Sequence, residues 1–356
     1  MPLVPRSRPA AWPAHPHDVR PLQRRIRHRL GRALSDPIAF TLAARQVLPR
    51  QTRLYLVCRV LHAYVILNPA AGRGAARRAE SVVARAFRAQ GWAVDVTRTE
   101  GPGHGQELAS EAVRQGAKYV VAVGGDGTVH EVANGLLRTK TDTALGVVPV
   151  GSGNDFAKMV GLFGYNPARA VARLVTAHSR RFDAGRVFDE WFVNSVGFGF
   201  GPAVVKTRNA MHHLRGFLSY LVPIVKTFFK FEPPVFDVVA PGFRERGYMM
   251  MVEVCNGTTA GGSYRFAPDA DPADGKLDVC LIRRVSLPRF LMAIPRVMRG
   301  THVTMREVAL IKTAKLVIRS PEEPLVVHVD GELREPGVNE CTVELERGRL
   351  NVLVAR

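Results

Sequence analysis

The chain has little cysteine and no long apolar run. Its four cysteines, Cys58, Cys255, Cys280 and Cys341, are scattered without metal spacing. That pattern excludes a disulfide framework and a thiolate metal site, and it reads as reduced, cytosolic thiols. No stretch supplies the ~18 uninterrupted apolar residues of a membrane-spanning helix. The nearest, HHLRGFLSYLVPIVKTFFKF from His212 to Phe231, is broken by Arg215, Pro223, Lys226 and Lys230. The N-terminus has no apolar core, so it is not a secretory signal. Acids are scarce in the first 62 positions. Asp18 and Asp36 stand against twelve arginines and no lysine, a net +10 within a chain of 356 residues whose total is +19. No nucleic-acid-binding motif accompanies those arginines and no aromatics are interleaved with them, so no nucleic-acid partner is expected. The opening MPLVPRSRPAAWPAHPH is Pro-rich and aperiodic. Translation from a start codon upstream of the natural one would account for it.

What is present becomes regular from about Ala63. AYVILNP reads as a buried strand, RRAESVVARAFRAQG as a helix stopped by Gly91, and WAVDVTRT as a strand. GHGQELASEAVRQG reads as a helix stopped by Gly116, KYVVAVG as a strand and VHEVANGLL as a helix. LGVVPVGSG and NDFAKMVG continue the alternation to residue 160. Strand and helix in alternation imply a doubly wound parallel sheet with helices on both faces. Beyond Arg181 the pattern changes to strand-like segments split by Gly, Pro and Asp turns: WFVNSVGFGFG, PVFDVVAP, YMMMVEVCNG, KLDVCLIRRV, AKLVIRS, LVVHVDGEL and CTVELERGRLNVLVA. Helices interrupt them near 203–229 and 287–299. We expect an α/β fold in three parts. Residues 1–62 form a poorly ordered basic extension and 63–182 an ATP-binding α/β domain. Residues 183–356 form a mostly antiparallel β domain for the substrate, with the possibility left open that the last strand returns to the first domain.

Three glycine-rich turns, NPAAGRG, GGDGT and VGSGND, fall at the carboxyl ends of the strands, where ligands bind in such sheets. Glycines let a ligand approach the main chain, and a helix start offers unpaired N–H groups to an anion. Gly124, Gly125, Asp126, Gly127 and Thr128 therefore read as a phosphate loop, with Asp126 and Thr128 beside a Mg²⁺–phosphate group. Neither a Walker A loop nor GxGxxG is present. Taken singly, Asn68 before Pro69 is a turn residue, and Ser152, Asn154 and Asp155 are helix caps. Asp330-Gly331 is a natural two-residue hairpin turn.

These three motifs, followed by APDADPADGKLDV and HVDGE, resemble the diacylglycerol kinase catalytic-domain family, which includes soluble bacterial lipid kinases and the sphingosine and ceramide kinases. The resemblance covers roughly residues 63–356. GGDGT alone is shared with NAD kinases and phosphofructokinases, but the later Thr-Gly-Ser-Thr-Ala-Tyr segment of NAD kinases is absent. The resemblance implies ATP and Mg²⁺ as cofactors. It implies nucleotide binding by Asn68, Thr99, Gly124, Gly125, Asp126, Gly127, Thr128, Val129, His130, Glu131, Ser152 and Asn154. It implies Glu332 as the base, with Asp126 the next candidate, and a structural Mg²⁺ at Asp271, Asp274 and Lys276, where a polar Asp-Gly turn is the alternative. FLSYLVPIVKTFF is a candidate for the lipid-facing surface, with a core helix the preferred reading. Two departures stand out: glycine (Gly199 or Gly201) where aspartate or alanine follows the aromatic, and Lys158 where Arg is commoner.

The implied activity is transfer of the γ-phosphoryl group of ATP to a lipid hydroxyl, diacylglycerol to phosphatidic acid first, by a cytoplasmic protein peripherally associated with membranes. The resemblance leaves a homodimer open. The alternatives are a kinase of a sphingoid base, another lipid or NAD, and a non-catalytic nucleotide- or membrane-binding regulator. Deleting residues 1–60 is expected to leave a folded, active core on detergent-solubilised lipid. Its binding to anionic vesicles should weaken, with less salt sensitivity in what remains. Vesicle co-sedimentation across ionic strength checks this, and unchanged binding would rule out the extension as a membrane element.

Overall fold

Strands that are apolar on both faces open the described part of the chain. The computed structural model describes residues 61–211, 218–262 and 264–355. The basic extension expected over 1–62 lies outside these residues except for its last two positions. Strand and helix alternate through β1 (His62–Leu67), α1 (Ala71–Ala89), β2 (Ala93–Arg98), α2 (His104–Arg114), β3 (Tyr119–Gly124), α3 (Asp126–Leu137), β4 (Ala144–Pro149) and α4 (Asp155–Met159). β1 pairs in parallel with β2 and β3, and β3 pairs in parallel with β4. Val65, Ile66, Leu67 and the run Val120–Val123 are buried, as a sheet covered on both faces requires. Gly91 (φ 78°) and Gly116 (φ 81°) take the left-handed conformation just after α1 and α2.

Two elements then appear that the local pattern does not announce: α5 (Pro167–Leu174) and β5 (His178–Val187). The rest is the mostly antiparallel β domain: β6 (Glu190–Phe192), β7 (Ser195–Gly199), α6 (Phe200–Asn209), α7 (Leu218–Phe228), β8 (Val235–Ala240), β9 (Phe243–Cys255) and β10 (Leu277–Arg283). It continues with α8 (Leu287–Arg299), β11 (Val308–Thr313), β12 (Lys315–Arg319), β13 (Val327–Val329), β14 (Glu332–Arg334) and β15 (Glu340–Val354). WFVNSVGFGFG is not one strand. The chain breaks between β6 and β7 and enters α6 at Phe200. Gly199 makes that turn at φ 81°, where a Cβ would lie 2.8 Å from the Met250 carbonyl oxygen.

β15 runs through both kinds of sheet. Its first half is antiparallel to β12, whereas Asn351 and Val352 pair in parallel with Ala144 and Leu145 of β4. β5 lies antiparallel along most of its length, with a register shift between Glu346 and Leu350. The buried Asp183 carboxylate sits at that irregularity. It accepts the Gly348 and Gly275 N–H groups, each at 2.7 Å.

The helix that opens within GGDGT, α3, packs tightly on α2 at Gly135. A Cβ there would collide with the Gln106 carbonyl and lie 2.6 Å from the Ala109 Cβ. Gly135→Ala is therefore expected to lower stability by about 1–3 kcal/mol, despite alanine's better helix propensity. Urea unfolding of the two proteins measures it.

Candidate active site

The three glycine turns meet backbone to backbone. A Cβ on Gly151 would lie 2.5 Å from the Gly125 Cα, and one on Gly72 would collide with the Val150 carbonyl oxygen. Gly72, Arg73 and Gly74 all have positive φ, so the regular turns of α1 begin only beyond them. A Cβ on Gly124 would collide with the Thr128 hydroxyl, which accepts the Asn68 side-chain N–H at 3.2 Å. The glycines thus set both the approach of the turns and the position of Thr128. Asn154, at φ 52°, folds the VGSGND turn by accepting the Gly151 N–H at 3.0 Å and donating back to its carbonyl.

Acidic side chains tie this floor to its surroundings. Asp126 begins α3 and accepts the Phe156 N–H of α4 at 3.2 Å. Burial, then the neighbouring Asp155 carboxylate, push its carboxyl up to about 6. Asp155 accepts the Gly262 N–H at 2.7 Å and pairs with Lys158, whose ammonium also reaches the Gly262 carbonyl. Lysine at this position therefore bridges the floor to the β domain. Glu131 accepts the Gly103 and Gly105 N–H groups at 2.8 and 2.9 Å, which fixes the loop after Thr99.

A hairpin from the β domain closes over the phosphate loop. Asp330 (φ 48°) and Gly331 (φ 89°) form the turn between β13 and β14. The Asp330 carboxylate is buried and accepts the N–H groups of Val193, Asn194 and Ser195 at 3.0, 2.8 and 3.0 Å. It also meets His130 Nδ1 at 2.9 Å, and His130 Nε2 meets Glu190 at 2.7 Å. Glu190 in turn takes two bonds from Arg334, at 2.6 and 3.0 Å. Burial opposes the charge on His130, but the hydrogen bonds to Asp330 and Glu190 prevail and hold it up to about 9. Burial likewise opposes the Glu190 carboxylate, which His130 and Arg334 hold down to about 2. This clasp brings Glu332, exposed to solvent, over the loop: its Oε1 is 2.8 Å from where a Gly127 Cβ would sit.

A continuous cavity of about 1310 Å³ has this floor at one end and apolar walls at the other. Asn68, Thr99, Gly125, Asp126, Gly127, Thr128, His130, Glu131, Ser152 and Glu332 line it, so the structure brings most of the expected nucleotide residues and the expected base together. Gly124, Val129 and Asn154 support the floor without lining it. The apolar walls come from α6, α7, α8 and β9, including Phe200, Ile224, Met251 and Phe290. Ile224 places α7 on that wall, while Phe228 of the same helix stacks on Phe290 at 4.1 Å. Asp271, Asp274 and Lys276 are not among the lining residues. Asp271 pairs with Arg180 at 2.7 Å and Asp274 with Lys312 at 3.1 Å. Among the described residues no group of three or more His, Cys, Asp or Glu side chains is arranged to hold a metal ion.

The diacylglycerol kinase catalytic domain matches residues 62–187, and the YegS C-terminal NAD kinase beta sandwich-like domain matches residues 194–354. A Pseudomonas fluorescens protein named "Probable lipid kinase YegS-like" is 31% identical over 212 residues, 59% of this chain and 70% of that protein. The chain belongs to the diacylglycerol kinase catalytic-domain family. Within it, the diacylglycerol kinase of Bacillus subtilis is 26% identical over 271 residues, 76% of this chain and 89% of that protein. The crystal structure of a diacylglycerol kinase from Bacillus anthracis shares the fold. It superposes with a TM-score of 0.65 at 21% identity, over 83% of this chain and 97% of that one.

Sequence reasoning passed over Glu190, Arg334 and the carboxylate of Asp330. The last was visible only as a turn residue, since its partners lie 135 to 200 positions away. The clasp gives a signed pH dependence. The folded pKa of His130, about 9, lies above the ordinary 6.5. Its stabilisation is therefore complete below pH 6.5 and lost as pH rises through 9. Glu190, held near 2 against an ordinary 4.5, contributes fully above pH 4.5 and loses its contribution as pH falls through 2. Unfolding free energy should decline between pH 6.5 and 9, and His130→Gln should flatten that decline while costing roughly 3–5 kcal/mol near pH 6. Denaturant titrations of both proteins across that range check it.

Proposed function

We propose that the protein is an ATP- and Mg²⁺-dependent lipid kinase that transfers the γ-phosphoryl group to a lipid hydroxyl, with diacylglycerol, giving phosphatidic acid, as the acceptor its named relatives suggest first. One observation carries this reading: a carboxylate from the β domain, Glu332, hangs over Gly127 of the phosphate loop inside a cavity that continues into apolar walls. Nucleotide phosphates suit one end and an acyl chain the other.

The glycine floor and the first-turn N–H groups of α3 would cradle the phosphates, and Asn68 would hold Thr128 in place. The acceptor hydroxyl would enter from the apolar side. Glu332 would take its proton as the new O–P bond forms and the bond to the ADP oxygen breaks. The donor chemistry fits one Mg²⁺ shared with ATP, because such ions are commonly held by one or two carboxylates plus phosphate oxygens and Asp126 supplies a carboxylate at the loop. Bound there, Mg²⁺ would neutralise phosphate charge during transfer. A structural cation on the loop of Asp271, Asp274 and Lys276 is part of the same proposal. It would have to compete with Arg180 and Lys312 for the two carboxylates.

Peripheral membrane association, in the cytoplasm, is proposed on two observations. Leu291 and Met292 of α8 are about half exposed, at 48% and 47%, on a helix that also carries Arg289, Arg296 and Arg299. Among the described residues no helix is long and apolar enough to cross a membrane.

Steady-state kinetics with a calorimetric ATP titration test the reading. Glu332→Gln should lower kcat by roughly 10²–10⁴-fold with ATP affinity near normal. Asp126→Ala should abolish transfer in a folded protein. Glu335→Gln, which removes only an exposed pair with Lys206 at 3.0 Å, should do little. Equal, small effects at positions 332 and 335 would dismiss Glu332 as the base, and near-normal turnover of Asp126→Ala would dismiss the phosphate loop.

A further inference from the structure

Glu253 is a lone carboxylate in an otherwise apolar run, Met249–Cys255 of β9, and it is completely buried. Its position follows from three adjacent strands. His328 of β13 is in register with Gly197 of β7, and Gly197 with Glu253 of β9. The three residues form one row across the sheet, with the glycine in the middle. His328 and Glu253 reach toward each other over Gly197, where any Cβ would collide with both side chains. His328 Nε2 lies 3.2 Å from Glu253 Oε2. A further Cβ, at Gly201, would lie 3.1 Å from the same ring nitrogen. Gly197 and Gly201 of VGFGFG therefore make room for this pair.

The pair is only half satisfied within the protein. Glu253 Oε1 and His328 Nδ1 are both buried and have no hydrogen-bond partner among the described residues. Buried polar atoms are almost always paired, and an orphaned carboxylate oxygen is among the costlier exceptions. Both residues line the cavity that holds the phosphate loop and Glu332. They are also close to the base along the chain: His328 is one register step from the Val329–Glu332 pair, about 3.4 Å along the strand.

We propose that Glu253 and His328 recognise a second polar group of the acceptor, and that the preferred acceptor carries a free hydroxyl or amide N–H beside the hydroxyl that is phosphorylated. This rests on the lipid-kinase reading and ranks acceptors within it. His328 engages Oε2 and leaves Oε1 as an acceptor, so its ligand must donate. The remaining oxygens of a diacylglycerol are esterified and cannot donate, so that lipid is accepted but leaves Oε1 unpaired. A monoacylglycerol, whose neighbouring hydroxyl donates, satisfies Glu253 Oε1. An N-acylated amino alcohol satisfies Glu253 through its amide N–H.

The test compares 1-oleoylglycerol, its 2-O-methyl ether and dioleoylglycerol as acceptors, by kcat/KM. The ether replaces the one donor hydrogen of the neighbouring hydroxyl by a methyl group. The wild-type protein should favour 1-oleoylglycerol over the ether by at least about tenfold. Glu253→Met should reduce that ratio to near one. The double variant Glu253→Met/His328→Leu leaves neither group buried alone and should do the same with calorimetric ATP binding retained, so a misfolded single variant does not decide the matter. Equal wild-type kcat/KM for the two lipids, or a ratio unchanged in the double variant, overturns the proposal and leaves the kinase reading intact, the pair then being a structural tie between strands. Failure to phosphorylate any of the three lipids or an N-acylated amino alcohol while ATP still binds sinks the lipid-kinase reading and this inference together.

Discussion

One buried carboxylate organises the site. Asp330 gathers three consecutive backbone N–H groups and one imidazole, and those contacts join the segment between β6 and β7, the phosphate-loop helix and the β13–β14 hairpin. The chain reverses at Asp330 in a left-handed conformation that costs a non-glycine residue free energy, and the four bonds offset that cost. Without this junction nothing would fix the height of Glu332 above Gly127. His130 is the element that makes the junction long-range. It sits one turn into α3, so any shift of the phosphate loop is transmitted to the hairpin, and the reverse.

The parallel half was legible because its signals are local. Buried strands announce themselves as unbroken apolar runs, helices end on glycine, and three glycine-rich turns at one sheet edge leave little room for other chemistry. The membership drawn from those motifs agrees with the domain matches. The β half was less legible. β5 reads HSRRFDAGRV, too charged to look like a strand, because its first residues are exposed and its length is satisfied by β15. The run through Gly199 looked like strand because nothing in its composition marks the start of α6. The charged residues of the cleft were hidden for a different reason. Glu190 and Arg334 look like surface charges until the fold sets them beside His130. Glu253 carried a signal that could have been used: a single acid amid methionines and valines is expensive unless it has a purpose.

The cavity joins two chemistries that are rarely compatible. Its floor is backbone and acid; its walls are aromatic, aliphatic and thioether side chains. The apolar cluster of Phe200, Phe290, Met250 and Ile282 is separate from the cores of the parallel and the antiparallel halves, so the walls are not an extension of either. Methionine side chains adapt to ligands of different length more readily than branched ones. Such a wall contributes affinity with little discrimination. On the proposed reading, selectivity among acceptors then falls to the few polar atoms that interrupt it.

The course of β15 has a consequence for biosynthesis. The strand that completes the parallel sheet beside β4 is separated from it by about two hundred residues, among them the whole β domain. On the ribosome, α/β elements made early must wait with an open sheet edge until that strand emerges. The edge of β4 is thus translated long before the strand that covers it, and a nascent chain carries that edge unpaired until β15 emerges.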